Sequence, residues 1–367
     1  MSDSTTTLRQ ELADAFGGDL DPLEEYAPTF ERMDIDPFDL FVADVLDPEE
    51  PAKSTRQAYM ALFDQWRENM DEQGRHPACP NESHVHEFAR YLQTDRGNVP
   101  RTIKLKLNRL NRVFEYWQND PTFPHPREYN PFPLAKSKLS LANHRQKTPP
   151  RIPLDELRSF LAEETHIRNR VILSLQMKLG LRASEVCNIK LEDIKIANSP
   201  LSDHYRELGT ADPIQEYQNC IYIPTRYERD GNKSYLPRVL PLDDELQRLL
   251  TQCLLMRPDA DRPWALLSLS NHTQLTDSDI NYVWKNVFRP EYDETEEHRG
   301  VTSHFGRHYF TTYWKVDRDL NRELIKYMRG DKIGNGRQFD ETMDAYVHTY
   351  FEDIQDVYLD EIFKLNI

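Results

Sequence analysis

The chain has 367 residues, 38% of them hydrophobic, and a formal net charge of −16. That length suits two domains, and no apolar run approaches the ~20 residues of a membrane-spanning helix. Met1 to Thr7 has neither the basic nor the apolar region of a secretory signal, so a soluble, cytoplasmic protein is expected.

Cys79, Cys187, Cys220 and Cys253 are scattered and form no CxxC pair. Buried reduced thiols are therefore expected, not a zinc knuckle or a disulfide framework. Charge is unevenly spread. Residues 1–50 hold fifteen acidic against two basic residues, residues 51–151 hold ten against seventeen, and the remainder is acidic again. A basic middle between acidic flanks fits a duplex-DNA partner better than the total charge does. Arginine outnumbers lysine about two to one, a composition suited to a high-salt interior, where the gain from counterion release is small.

Residues 1–50 are dotted with proline and weakly periodic. Part of the stretch from Leu8 to Phe16 reads as helical, and the whole segment is expected to be an acidic, mobile arm. An inert solubilising tail, a subunit contact and a mimic of DNA charge are the roles open to it. After Pro51, Ser54 and Thr55 offer a cap ahead of Tyr59, Leu62, Phe63 and Trp66, which share one helical face. A second helix is predicted over Ser83 to Leu92. A third follows Pro100, where Ile103, Leu107, Leu110, Val113, Phe114 and Trp117 recur at three and four. Its opposite side carries Arg101, Lys104, Lys106, Arg109 and Arg112. The Pro-rich stretch 120–150 ends in Lys136, Lys138, Arg145 and Lys147 and reads as a basic linker. Beyond it a helix starts at Leu154, after Pro153, and Arg170 to Leu179 is apolar enough to be buried all round. Strands are predicted at Leu191–Ile196, Cys220–Ile223 and Leu236–Leu242. Asp230-Gly231-Asn232 is a turn signal, so a β-hairpin with Lys233 just past its tip is expected. A last helix carries Phe351, Ile354, Val357, Tyr358, Ile362 and Phe363.

Cutting a phosphodiester without a metal requires neutralised nonbridging oxygens, an in-line nucleophile and a proton for the departing oxygen. Arginine suits the first task, because its planar fork pairs with phosphate and keeps its charge. Arg182 follows the helix-breaking Gly180, and His304 and Arg307 share a helical face at i and i+3. Taken singly, these are equally a surface arginine and a packing pair. Lys233 is either a general acid or merely solvated. Tyr346 and Tyr350, one turn apart, are nucleophile candidates whose phenolates nearby guanidiniums would favour, with core packing as the alternative.

Gly-Leu-Arg-Ala-Ser-Glu-Val (180–186), Lys233 ahead of Pro-Arg-Val-Leu-Pro-Leu (237–242), His304-Phe-Gly-Arg307-His308 and Ala-Tyr-Val-His (345–348) occur in that order. Together they resemble the tyrosine recombinase, or phage-integrase, family, over roughly residues 50–365. The resemblance implies a mainly α fold. It comprises an N-terminal helical core-binding (SAM-like) domain and a C-terminal, mainly helical catalytic domain with a small antiparallel β-sheet, closing on DNA as a C-shaped clamp. With the acidic arm over 1–50 ahead of it, the expected organisation is a core-binding domain over 51–140, a linker over 141–151 and a catalytic domain over 152–367.

The resemblance also implies roles. Arg182 and Arg307 would clamp the scissile phosphate, with His304 donating a hydrogen bond to it. Lys233 would protonate the leaving oxygen, Glu185 would orient the surrounding network, and Tyr346, or alternatively Tyr350, would attack. No metal and no cofactor takes part. Arg101, Lys104, Arg109, Lys136, Lys138, Arg145 and Lys147 would contact double-stranded DNA. The chain would be a monomer or dimer when free and a tetramer on DNA, with its last helix exchanged between subunits. Where the family has Leu-Gly-His or similar, this chain has Met328-Arg329-Gly330-Asp331, followed by Lys332 and a longer stretch containing Gly334-Asn335-Gly336. Site-specific recombination is the expected function. A type IB topoisomerase-like enzyme and a catalytically impaired DNA-binding relative are the alternatives.

Overall fold

The structure, a computed structural model, describes residues 8, 11–13, 15–51, 53–139, 147–197, 200–331 and 351–367. Arg145, Lys332, Tyr346 and Tyr350 lie outside the described residues, as do Arg9, Gln10 and Asp14 of the expected first helix. The chain divides into two compact units, Met1–Gln146 and Lys147–Ile367.

In the first unit two short helices, α1 (Ala27–Glu31) and α2 (Pro37–Phe41), run into a π-helical turn at Val42–Leu46. They are followed by α3 (Lys53–Glu72), α4 (Glu82–Thr94), α5 (Pro100–Asn119) and α6 (Pro131–Lys138). The apolar stripes anticipated on α3, α4 and α5 meet in one core, where Phe63, Trp66, Phe88, Leu107 and Phe114 are buried. Asn81 caps α4. Its side chain accepts from the His84 backbone N–H at 3.1 Å, and His84 Nδ1 accepts from the Asn81 N–H at 3.0 Å, so a histidine fills the place Glu usually takes in such a reciprocal cap.

Two expectations need correction. Much of the acidic N-terminal segment is not a mobile arm. Leu23, Phe30, Phe38, Phe41 and Leu46 are buried in the core of the first unit. Its carboxylates are also engaged, Asp21 with Arg75 at 2.6 Å and Asp36 with Arg67 at 2.7 Å. Apolar anchors won over composition here. The Pro-rich stretch likewise contains α6, not linker alone. Asn130 accepts from the Phe132 N–H at 3.0 Å, Pro131 needs no such partner, and Phe132 and Ala135 are buried.

The second unit contains α7 (Leu154–Glu163), α8 (Ile167–Leu179), α9 (Ala183–Cys187), α10 (Asp244–Leu255), α11 (Asp277–Phe288), α12 (His304–Thr312), α13 (Arg322–Arg329) and α14 (Phe351–Glu361). A small antiparallel sheet has the order β1 (Ile194–Lys195), β2 (Cys220–Ile223), β3 (Arg238–Pro241), with Ile221 opposite Ile194 and Leu240. The expected hairpin joins β2 to β3 through residues 224–237.

Helix α8 is the buried axis of this unit, with every residue from Val171 to Leu179 inside. Helix α12 packs directly on it because position 306 is glycine. A Cβ there would lie 2.7 Å from the Trp284 ring and 2.8 Å from Gln176. Inside the same unit Lys178 is fully buried and bonds Asp243 at 2.7 Å and Glu245 at 2.6 Å. Glu245 also accepts from the Leu365 and Ile367 N–H groups, which ties the chain terminus to α10. Ile354, Tyr358, Ile362 and Phe363 join the core of their own unit, so in the single chain the last helix packs in cis. All four cysteines are buried free thiols, and no described helix is long and apolar enough to cross a membrane.

Candidate active site

Arg182 leaves the C-terminal end of α8 through Gly180, which adopts φ +65°. A Cβ at that glycine would lie 2.6 Å from the Phe310 ring, so both conformation and space require glycine. Arg182 then caps α9. Glu185, in the first turn of α9, accepts the Arg182 backbone N–H at 2.8 Å and its Nη1 at 3.1 Å. Arg307 comes from α12, pressed on α8 by Gly306. Its Nη1 donates to the Gly180 carbonyl at 2.7 Å and to the Arg329 carbonyl at 3.0 Å. The same Arg329 carbonyl accepts from Arg182 Nη1 at 3.3 Å. Two arginines 125 positions apart in the chain thus share one carbonyl.

They also share one carboxylate. Arg182 Nη2 and Arg307 Nη2 each donate to Asp331 Oδ1 at 2.7 Å. Arg329 Nε lies 3.0 Å from Asp331 Oδ2 without forming a directed hydrogen bond. Beneath this group sits Arg238 from β3, wholly buried, whose Nη2 donates to Glu185 Oε2 at 2.8 Å and whose Nε donates to the Met328 carbonyl at 2.8 Å. The cluster holds four guanidiniums against two carboxylates.

The electrostatics follow from this crowding. Burial alone would raise the Glu185 carboxyl, but Arg238 and Arg182 outweigh it and hold the group down at about 2. Burial, then Arg182 and Arg329, pull Arg307 down to about 9 against the opposing pull of Glu185 and Asp331. Arg307 therefore stays protonated at neutral pH. Arg329 is lowered by burial and by Arg182, and His308 by burial and by Arg329.

Of the expected catalytic residues, Arg182, Glu185 and Arg307 come together. His304 is exposed at the start of α12, one turn before Arg307. Lys233 is exposed in the β2–β3 connection, and its amine makes no hydrogen bond or ion pair among the described residues. That connection is braced. Asn188 Nδ2 donates to the Asp230 carbonyl and to Asn232 Oδ1, both at 2.9 Å, and Arg229 pairs with Asp193. The Tyr235 N–H donates to the Gly330 carbonyl at 3.4 Å, which holds the Lys233 segment against the Arg329–Asp331 turn. Arg226 on the same connection stacks on Tyr227 and Tyr235, with its guanidinium carbon 4.7 and 5.3 Å from the ring centroids.

Sequence reasoning missed Arg238 and Arg329 as members of the cluster. The signal for Arg238 was a lone charge inside the apolar strand Val239-Leu240. For Arg329 no spacing signal existed. Among the DNA-contact candidates, Arg101 is exposed and Arg109 lies over the Tyr59 ring at 5.1 Å. Lys104 is half-buried beside them. Lys136 bonds Asn108, Lys138 pairs with Glu82 and Lys147 with Glu294, so these three already have partners within their own units.

No protein-family model matches the sequence, and no curated protein matches it significantly. Solved structures do share its fold. The Tn1549 transposon integrase in complex with a circular intermediate DNA superposes with a TM-score of 0.57 at 17% identity, over 86% of this chain and 96% of that one. A lambda integrase tetramer bound to a Holliday junction gives 0.53 at 14% identity, over 82% and 77%. A lambda integrase dimer bound to a COC′ core site gives 0.52 at 13% identity, over 81% and 94%.

Proposed function

We propose that the chain, which has the fold of these DNA integrases, is a tyrosine-type site-specific DNA recombinase. The observation that carries the reading is the convergence of Arg182 and Arg307 on a single anionic oxygen. Two guanidiniums so placed would neutralise the nonbridging oxygens of one phosphodiester as charge builds in the transition state. His304 would add a hydrogen bond. The Tyr346 oxygen would attack phosphorus, forming a 3′-phosphotyrosyl bond as the bond to the 5′-oxygen breaks. Lys233, on its braced connection, would give that oxygen its proton. Attack by a 5′-hydroxyl on the phosphotyrosine would reverse the step and rejoin the strand, conserving bond energy. Arg101, Lys104 and Arg109 on α5, together with Lys136, Lys138, Arg145 and Lys147, would contact phosphates of double-stranded DNA. Exchange of the last helix between subunits in a tetramer on two sites would require that helix to leave its position on its own unit.

The test begins with a footprint on the host replicon to define a site, followed by a nicked suicide substrate carrying it. A covalent protein–DNA adduct with the wild type and none with Tyr346→Phe supports the reading, whereas loss in Tyr350→Phe alone reassigns the nucleophile. Asp331 favours one second reading, a relative that binds DNA without cutting it. A specific footprint with no adduct from any cognate substrate would establish that instead.

A further inference from the structure

Asp331 takes the place that an incoming phosphate would need. Both guanidinium Nη2 atoms reach its Oδ1 at 2.7 Å, and Arg329 flanks its Oδ2 at 3.0 Å. A carboxylate and a phosphodiester each carry one negative charge spread over two acceptor oxygens, so the same donors satisfy either. The remaining Nη1 donors of Arg182 and Arg307 are fixed on backbone carbonyls and on Glu185, leaving the Nη2 atoms as the pair turned toward the exchangeable anion. Asp331 itself follows Gly330, which closes α13 at φ +64°, and its side chain is 27% exposed, so solvent and ligand reach it.

We propose that Asp331 is a positioning residue that acts as a resident anion. It holds Arg182, Arg307 and Arg329 in a preset fan when DNA is absent, and it yields them to the scissile phosphodiester by anion exchange. The physical need is visible in the cluster. Three guanidiniums that crowd one another and are largely withdrawn from water repel unless an anion lies between them, and Arg307 is 7% exposed. Exchange swaps one negative charge for another, so no net cation is newly neutralised when the scissile phosphate arrives. That phosphate then adds little to the salt dependence of DNA binding, because the counterion it displaces is part of the protein. The inference rests on the recombinase reading for the identity of the phosphate, but not for its test.

The test compares the full-length wild type with Asp331→Asn, using inorganic phosphate and a non-specific duplex as probes. The variant is expected to gain phosphate binding that the wild type lacks. It should bind duplex about tenfold more tightly, the order of one charge-assisted contact, and its log–log salt slope should steepen by about one. Placing Arg182→Gln in the variant should abolish both gains, which a general change in net charge would not do. The proposal is overturned if folded Asp331→Asn keeps the wild-type phosphate response and slope, or if the gains survive Arg182→Gln. Should the Asn variant not fold, Asp331→Ser carries the same measurements. Failure of both to fold also overturns the proposal, because the carboxylate is then a permanent counter-ion and not an exchangeable one. A phosphate gain in a protein that never forms a DNA adduct would leave the resident anion standing and remove the recombinase reading.

Discussion

Replacing Glu185 with Gln keeps its shape and removes its charge, which leaves the wholly buried Arg238 guanidinium without its carboxylate partner. Two routes give the cost. The Glu185 carboxyl is held at about 2 against an ordinary 4.5, and at ~1.4 kcal/mol per pH unit that is about 3 kcal/mol of stability. Breaking a buried ion pair by removing one partner costs ~3–5 kcal/mol in general, so the two routes agree. The pH dependence has a defined sign. The folded-state value is depressed, so the contribution is complete above about pH 4.5 and is lost as pH falls toward about 2. Urea unfolding of wild type and Glu185→Gln should therefore differ by about 3 kcal/mol near pH ~6 and by about 2 kcal/mol near pH ~3.5. A gap that is absent near neutrality, or constant across that range, would refute the claim that Arg238 and Arg182 hold Glu185 ionised.

The remaining predictions address other links of the account. Lys233→Ala should slow adduct formation by ~100-fold or more on an ordinary substrate, and much less on one whose leaving 5′-oxygen is replaced by sulfur, which departs without a proton; equal slowing on both removes Lys233 as the acid. Gly306→Val should lower stability by several kcal/mol, on the order of a severe overpacking, because Trp284 and Gln176 already stand within 3 Å of a Cβ at that position. A thermal melt matching the wild type would contradict the close α8–α12 contact. Phe38→Ala should cost ~3–5 kcal/mol, as for other buried phenylalanines, and its measurement by urea unfolding separates a core segment from a mobile arm, where the cost would be near zero.

What the sequence made legible was whatever obeyed a regular period or a strong local rule. The stripe Ile103, Leu107, Leu110 and Phe114 marked α5, and Asp230-Gly231-Asn232 marked a turn within the hairpin connection. Gly180 ahead of Arg182 marked the end of the buried helix. The acidic N-terminal segment was illegible for a physical reason. Its anchors are split among short pieces, Leu23 ahead of a 3-10 turn and Phe30, Phe38, Phe41 and Leu46 on two short helices and a π-helical turn, so no 3.6-residue period runs through them. Five prolines between positions 121 and 133 hid α6, although Asn130-Pro131 is a good cap and first position. At the site, the motif positions of Arg182, Glu185 and Arg307 were readable because local spacing places them. Arg238 and Arg329 were not, because their roles arise from long-range contact between β3, α9 and the end of α13. Asp331 was noticed as a departure, but only coordinates connect it to both arginines.

The most direct probe of the central claim is the charge on the phosphate itself. Substituting an uncharged methylphosphonate for the mapped scissile phosphodiester removes the charge that two guanidiniums are proposed to neutralise. Arg182→Gln should then form the covalent adduct poorly on the ordinary substrate and at close to the wild-type rate on the neutral one. An Arg182→Gln defect of equal size on both substrates would show that this guanidinium does not act on phosphate charge.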